Sequence, residues 1–284
     1  MTAISPIITV ADLASRAGDT NLRLVDCRWY LGQPGAGRAA YDAGHLPGAI
    51  HLDVDSDLVA PEGAGRHPLP DPRRFAARLA GLGIGHDSPV VAYDDVGGWV
   101  AARLWWMLDD LGHADAAVLD GGIIAWSASG HALSTDVPSW KPARLDLRER
   151  WTRTIDRDAL RGRLGTVRLL DARGAARYRG ETEPIDAYPG HIPTAISAPT
   201  DGNLAAGGGF LNRDELRARF QALGADGSDM GVIIACGSGV AACHNALAMR
   251  IAGLPDPILY PGSYSDWTAA GYPVATGEEP GEPA

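Results

Sequence analysis

Apolar residues fall along this chain in short unbroken runs, separated by longer stretches where they recur at helical spacing. Residues 22–25, 49–52, 90–93 and 117–119 read as strands of the first half, and 232–235 (V-I-I-A) as one of the second. Residues 72–82 and 100–111 read as helices, the latter carrying Leu104, Trp105, Leu108 and Leu111 on one side. The strand runs do not alternate apolar with polar. Strands of that kind are buried on both faces, so the pattern predicts α/β domains with a mainly parallel sheet between helices. Ligands of such sheets sit beyond the carboxyl ends of the strands.

One unit is written twice. L-V-D-C-R-W (24–29), Y-D-A-G-H-L-P-G-A-I (41–50), P-V-V-A-Y-D-D (89–95), L-D-G-G (119–122) and W-S-A-S-G-H (126–131) return in order. Their counterparts are L-L-D-A-R (169–173), Y-P-G-H-I-P-T-A-I (188–196), G-V-I-I-A-C-G (231–237), L-Y-P-G (259–262) and W-T-A-A-G-Y (267–272). Asp26 and Asp171 are 145 positions apart, His45 and His191 146, Trp126 and Trp267 141. Two copies of domain size imply a tandem duplication. The division expected is a first domain at 1–133, a Pro- and charge-rich linker at 134–151, a second domain at 152–275 and a disordered acidic tail at 276–284.

Within the second copy, the strand at 232–235 delivers Cys236 into a loop of small residues, G-S-G-V-A, before a helical run at about 241–251. Backbone N–H groups of Gly237, Ser238, Gly239, Val240, Ala241 and Ala242 can turn toward one point above the sulfur, where they would hold an anion and favour a thiolate. A buried thiol before an ordinary turn explains this window as well, since free cysteine is often buried. The repeat separates the two readings. Aligning 90–93 with 232–235 places Asp94 opposite Cys236, so one copy holds the reactive residue and the other is an inactive scaffold.

Composition narrows the function. The chain of 284 residues is 45% hydrophobic and 21% charged, with no apolar run long enough to span a bilayer and no secretory signal at its start. A net charge of −10 argues against a nucleic-acid surface. Three cysteines, Cys27, Cys236 and Cys243, make no even disulfide framework and no metal-ligand spacing, which points to a reducing, cytoplasmic setting. Cys27 reads as structural. Cys243, seven residues beyond Cys236, is expected in the following helix, too far for a disulfide.

These motifs together resemble the two-domain rhodanese-like sulfurtransferases over nearly the whole chain. The resemblance implies two tandem rhodanese-like domains, the first inactive with Asp94 at the cysteine position, and a Cys236 persulfide as intermediate. The loop C-G-S-G-V-A is similar to that of the 3-mercaptopyruvate sulfurtransferases, whereas thiosulfate-preferring members carry basic side chains there, as in C-R-K-G-V-T. The resemblance also implies that Asp55 and His67 form a proton relay with Ser238, and that Arg177 holds the substrate carboxylate. On residue type alone, Asp55, His67 and Arg177 read as surface groups. One departure stands out: mercaptopyruvate enzymes commonly have a second arginine in E-P-E-P-R, and Ile185 stands at that place here. Losing one of two carboxylate donors would weaken recognition of a 2-oxo acid by about 1.5–3 kcal/mol unless another group substitutes.

The implied reaction moves sulfane sulfur from 3-mercaptopyruvate, or thiosulfate, to cyanide, a thiol or a small redox protein, and implies no metal or organic cofactor. Two rivals exist. A cysteine phosphatase needs arginine six residues after the nucleophile, where Ala242 stands. A sulfur-relay module loaded by a partner protein would form the same persulfide.

Overall fold

The structure, a computed structural model, describes residues 5–113, 115–227 and 230–283, and it divides into two units. Unit 1 holds the chain up to Ala60, Pro70–Thr152 and Ala206–Gly209; unit 2 holds Pro61–Leu69, Arg153–Ala205 and the chain from Phe210 onward.

In unit 1 the strands β1 (Ile7–Ile8), β2 (Arg23–Asp26), β3 (Ile50–His51), β4 (Val90–Tyr93) and β5 (Ala116–Leu119) form a sheet in the order β1-β5-β4-β2-β3, every pair parallel. In unit 2, β6 (Arg168–Asp171), β7 (Ala195–Ser197), β8 (Val232–Ala235) and β9 (Ile258–Leu259) pair in the order β7-β6-β8-β9, again all parallel. Thr154 makes one parallel bridge to Leu259. Unit 2 therefore repeats the order of unit 1 with its outermost strand reduced to that bridge. The central strands β4 and β8 are buried at every position, as helices on both faces require.

The elements lie close to the positions that periodicity predicts. The helix expected at 72–82 is Pro72–Gly81, opened by Asp71, whose carboxylate accepts the Arg74 N–H at 3.0 Å, with Pro72 in the first turn where its missing N–H costs nothing. The helix expected at 100–111 is Ala101–Asp110, and it is buried along almost its whole length. The strand expected at 49–52 shortens to two residues.

The repeated letters encode a scaffold. Arg28 Nη2 donates to Asp26 Oδ2 at 2.6 Å and to the Gly44 carbonyl at 2.7 Å; Arg173 Nη2 donates to Asp171 Oδ2 and to the Gly190 carbonyl, both at 2.7 Å. The His45 ring stacks on Tyr41 at 3.8 Å, and His191 on Tyr178 at the same 3.8 Å. Both tyrosine hydroxyls donate at 2.7 Å to a backbone carbonyl, of Ala49 and of Ala195. Asp-x-Arg and Gly-His-x-Pro thus tie the first long strand of each unit to the turn before its neighbour.

Two segments differ from expectation. Residues 134–151, read as a linker, lie along unit 1: Ser134 and His45 exchange backbone bonds of 2.8 and 2.9 Å, and the Ala143 and Arg148 amides donate to Ala80 and Leu111, both at 2.9 Å. Residues 276–283, expected to be disordered, instead run against unit 2. The Gly277 N–H donates to the Arg179 carbonyl at 2.9 Å, and the Pro280 carbonyl accepts from Thr194 at 2.6 Å. Composition misled here because a Pro- and Gly-rich segment can dock through its carbonyls without any apolar anchor. Among the described residues, no helix is long and apolar enough to cross a membrane.

Candidate active site

The site grows from the end of β8. Cys236 follows that strand directly and is buried, with its N–H donating to Ser263 Oγ at 3.1 Å and its carbonyl accepting from Tyr264 at 3.0 Å. The loop then turns back over the sulfur, and the Gly239 N–H points at Cys236 Sγ from 3.1 Å. Only glycine fits at 239, because φ is +78° and a β-carbon there would lie 2.3 Å from the Pro261 carbonyl oxygen. Val240 is buried, and Ala241 leads into the helix Ala242–Ile251. Cys243 lies in the first turn of that helix, buried, with Sγ 3.5 Å from the Gly239 carbonyl. Cys27 is buried in unit 1, where loss of solvation pushes its thiol pKa well up.

The equivalent loop of unit 1 shows what such a loop binds. Asp94 follows β4 as Cys236 follows β8, and its carboxylate fills the loop: Oδ1 accepts from Val96 and Gly98 at 3.0 and 2.8 Å, Oδ2 from Val100 and Ala101 at 2.9 Å each. Burial pushes the Asp94 carboxyl above its ordinary pKa, against the opposing pull of these four amides. The same carboxylate satisfies the Ala101 N–H, the first donor of the helix Ala101–Asp110, whose N-cap residue Val100 has no capping side chain. In unit 1 the loop is an anion nest around an internal carboxylate; in unit 2 the equivalent place holds the Cys236 thiol beneath the Gly239 N–H.

Pro61–Leu69, numbered within the first repeat, belongs to unit 2, and it brings His67 to the loop. His67 Nδ1 and Ser238 Oγ lie 2.6 Å apart, both residues buried. The segment is seated through Gly65, whose φ is +77° and whose β-carbon would meet the Gly262 carbonyl oxygen at 2.4 Å. The next N–H, of Arg66, donates to Ser265 Oγ at 3.1 Å, and the Ser265 N–H in turn holds the Gly237 carbonyl at 2.9 Å. Asp55 lies in unit 1, where its Oδ2 accepts the Trp29 indole N–H at 2.8 Å.

Arg177 also reaches the loop. A β-carbon on Gly237 would lie 3.5 Å from Arg177 Nη1 and 3.0 Å from Arg66 Nη2. Arg177 Nη2 donates to Glu183 Oε1 at 2.7 Å and to Asp186 Oδ2 at 3.0 Å; Arg66 Nη1 donates to Asp186 Oδ1. Burial alone would raise Glu183, but Arg177 and the Asp186 and Ile185 amides together hold its carboxyl below the ordinary glutamate range. Ile185 is exposed at a turn, its N–H donating to Glu183 at 3.0 Å. The buried Arg173 stacks over the Tyr264 ring at 3.7 Å and extends Nη1 to Glu183 at 3.3 Å.

Unit 2 thus gathers Cys236, Gly237, Ser238, Gly239, His67 and Arg177 around one loop. The residues that sequence reasoning missed are Arg66, Glu183, Asp186 and Ser263. Backbone geometry makes Ser263 the counterpart of Gly122, although the repeated letters set Gly122 against Gly262: each opens a helix with a left-handed backbone, φ of 51° and 56°.

Comparison with known proteins gives the family. Residues 9–129 and 156–270 each match the rhodanese-like domain. The chain is similar to a probable 3-mercaptopyruvate sulfurtransferase of Pseudomonas aeruginosa, 44% identical over 280 residues that cover 96% of this chain and 98% of that one. It is also similar to a putative thiosulfate sulfurtransferase of Mycobacterium tuberculosis, 40% identical over 273 residues (93% and 94%). The human 3-mercaptopyruvate sulfurtransferase is 36% identical over 265 residues (89% and 87%). Among solved structures, the 3-mercaptopyruvate sulfurtransferase of Leishmania major superposes with a TM-score of 0.81 at 32% identity, covering 93% of this chain and 74% of that one. The chain belongs to the rhodanese-like family, as a tandem two-domain sulfurtransferase.

Proposed function

We propose that the chain takes sulfur from 3-mercaptopyruvate onto Cys236 and passes it to a thiophilic acceptor. The Cys236 thiolate attacks the donor sulfur, forming an S–S bond as the C–S bond breaks. The electron pair stays on the departing carbon as pyruvate enolate. The donor's thiol proton ends on that carbon, giving pyruvate, and the enzyme is left as a persulfide anion. A thiol acceptor then attacks the outer sulfur, leaves as its own persulfide and returns Cys236 as thiolate. Cyanide would serve in the same way in an assay.

Each step has a group suited to it. Gly239 N–H stabilises charge on sulfur, as a preorganised donor does at lower cost than water. Ser238 and His67 form the proton path between donor thiol and enolate carbon. Arg177 faces the donor carboxylate. The observation that carries the reading is the pairing of a sulfur under the Gly239 amide with a hydroxyl hydrogen-bonded to a histidine, both on one six-residue loop. Three buried cysteines suit a reducing compartment such as the cytoplasm, and a small redox protein would supply an acceptor thiol there.

A second reading, thiosulfate as donor, draws support from the two guanidinium groups beside Gly237, which place positive charge where thiosulfate-preferring relatives carry basic side chains. The deciding experiment compares kcat/KM for the two donors, with mass spectrometry of Cys236 after exposure to each. Preference for mercaptopyruvate and an added sulfur atom on Cys236 are expected. A Cys236→Ser variant that still turns over would sink the persulfide route.

A further inference from the structure

Ile185 leaves the donor site one arginine short, yet two guanidinium groups stand beside Gly237. The second belongs to Arg66. Its backbone is fixed against the loop by Gly65, which no larger residue can replace without meeting Gly262, and by the bond from its N–H to Ser265. Its side chain is fixed by Asp186, which takes Nη1. The opposite edge of the planar group carries Nε and Nη2. Nε is buried and has no hydrogen-bond partner among the described residues. Nη2 lies so near Gly237 that a β-carbon there would approach it to 3.0 Å.

A guanidinium edge with parallel N–H groups matches a carboxylate or another oxyanion better than any other ligand. A donor N–H held away from water without an acceptor is rare in folded proteins. The bare Gly237 also makes sense in this light. A β-carbon at 237 would crowd Arg66 Nη2 at 3.0 Å, and the loop leaves the cation room by carrying glycine.

We infer that Arg66 is the second anion-binding residue of the sulfur-donor site, replacing the arginine that Ile185 lacks, with Asp186 as the residue that orients it. Its ligand is the carboxylate of a 2-oxo-acid sulfur donor; thiosulfate offers a similar oxyanion from another source. The inference deepens the sulfur-transfer reading and rests on it for the nature of the ligand, whereas the anion site itself can be tested without turnover.

The test alkylates Cys236 with iodoacetate, which carries a carboxylate, and with the neutral iodoacetamide, each followed by mass spectrometry at that residue. The ratio of the two rate constants cancels changes in thiol reactivity. Arg66→Gln lowers this ratio by about tenfold, the loss of one charge-assisted contact, and Arg66→Lys recovers part of it. A ratio that is the same in wild type and in both variants overturns the inference, whether or not any donor turns over. Steady-state kinetics identify the source of the anion. A KM for 3-mercaptopyruvate raised in Arg66→Gln, with that for thiosulfate little changed, supports the carboxylate; a rise for thiosulfate alone overturns that assignment. Wild type that transfers sulfur from neither donor, with a ratio that still depends on Arg66, would instead sink the sulfur-transfer reading and leave the anion site standing.

Discussion

His67 Nδ1 lies 2.6 Å from Ser238 Oγ across 171 residues of sequence. A contact that short between a hydroxyl and an imidazole can pass a proton, and only one of the two donors needs it. Mercaptopyruvate must move its thiol proton to carbon, whereas thiosulfate leaves as sulfite without such a transfer. Ser238→Ala is expected to lower kcat with mercaptopyruvate by about a hundredfold and to affect thiosulfate far less. Adding His67→Ala to that variant should cost little more, since the two act as one unit. Equal losses with both donors would remove the proton role.

Ser263 holds the backbone of the nucleophile. Its Oγ accepts the Cys236 N–H at 3.1 Å and donates to the Tyr260 carbonyl at 2.9 Å, from a left-handed backbone that only glycine adopts without strain. Ser263→Ala leaves a buried N–H without an acceptor and should destabilise unit 2 by about 1–3 kcal/mol. Ser263→Gly should recover part of that loss by relieving the strain. Urea unfolding of the three proteins is the measurement, and equal midpoints would show that the hydroxyl holds nothing.

Glu183 makes a prediction about acid. Its folded-state pKa is depressed, so the stability it contributes is present above the ordinary glutamate value and is lost as pH falls through the depressed one. Glu183→Gln should lower the melting temperature by roughly 2–5 °C at neutral pH. The difference from wild type should vanish in strong acid. A gap that persists there would assign the effect to packing and not to charge.

Asp94 supports the silent copy. Replacing it by alanine strands the four amides that its carboxylate accepts, three of them buried, and should cost unit 1 at least about 3 kcal/mol. Calorimetry of Asp94→Ala should show one part of the protein unfolding earlier, and an unshifted transition would contradict the anion-nest reading.

Much of this was legible in the sequence because it is local. Unbroken apolar runs such as Val90–Tyr93 and Val232–Ala235, each bounded by turn residues, read as doubly buried strands, and the register of the two copies puts Asp94 opposite Cys236. Glycine at 239 and small neighbours foretold the loop. What stayed hidden depends on contacts between distant residues. Nothing in the periodicity around Arg66 says that its guanidinium meets Asp186, 120 positions later. Its neighbour His67 entered the site by resemblance alone. The acidic tail failed for a related reason: its docking uses backbone carbonyls, which composition does not record.

Pro61–Leu69 sits in the first repeat by sequence and in the second unit by structure. A duplicated copy that loses its thiol would ordinarily be free to decay or be deleted. Here its gene segment also encodes Arg66 and His67, so deletion would strip the surviving copy of both side chains. Selection on the chemistry proposed for Arg66 and His67 would therefore constrain codons in the first half as well as in the second. A gene cut at the boundary between the repeats would yield the cysteine loop without the Pro61–Leu69 segment that completes unit 2.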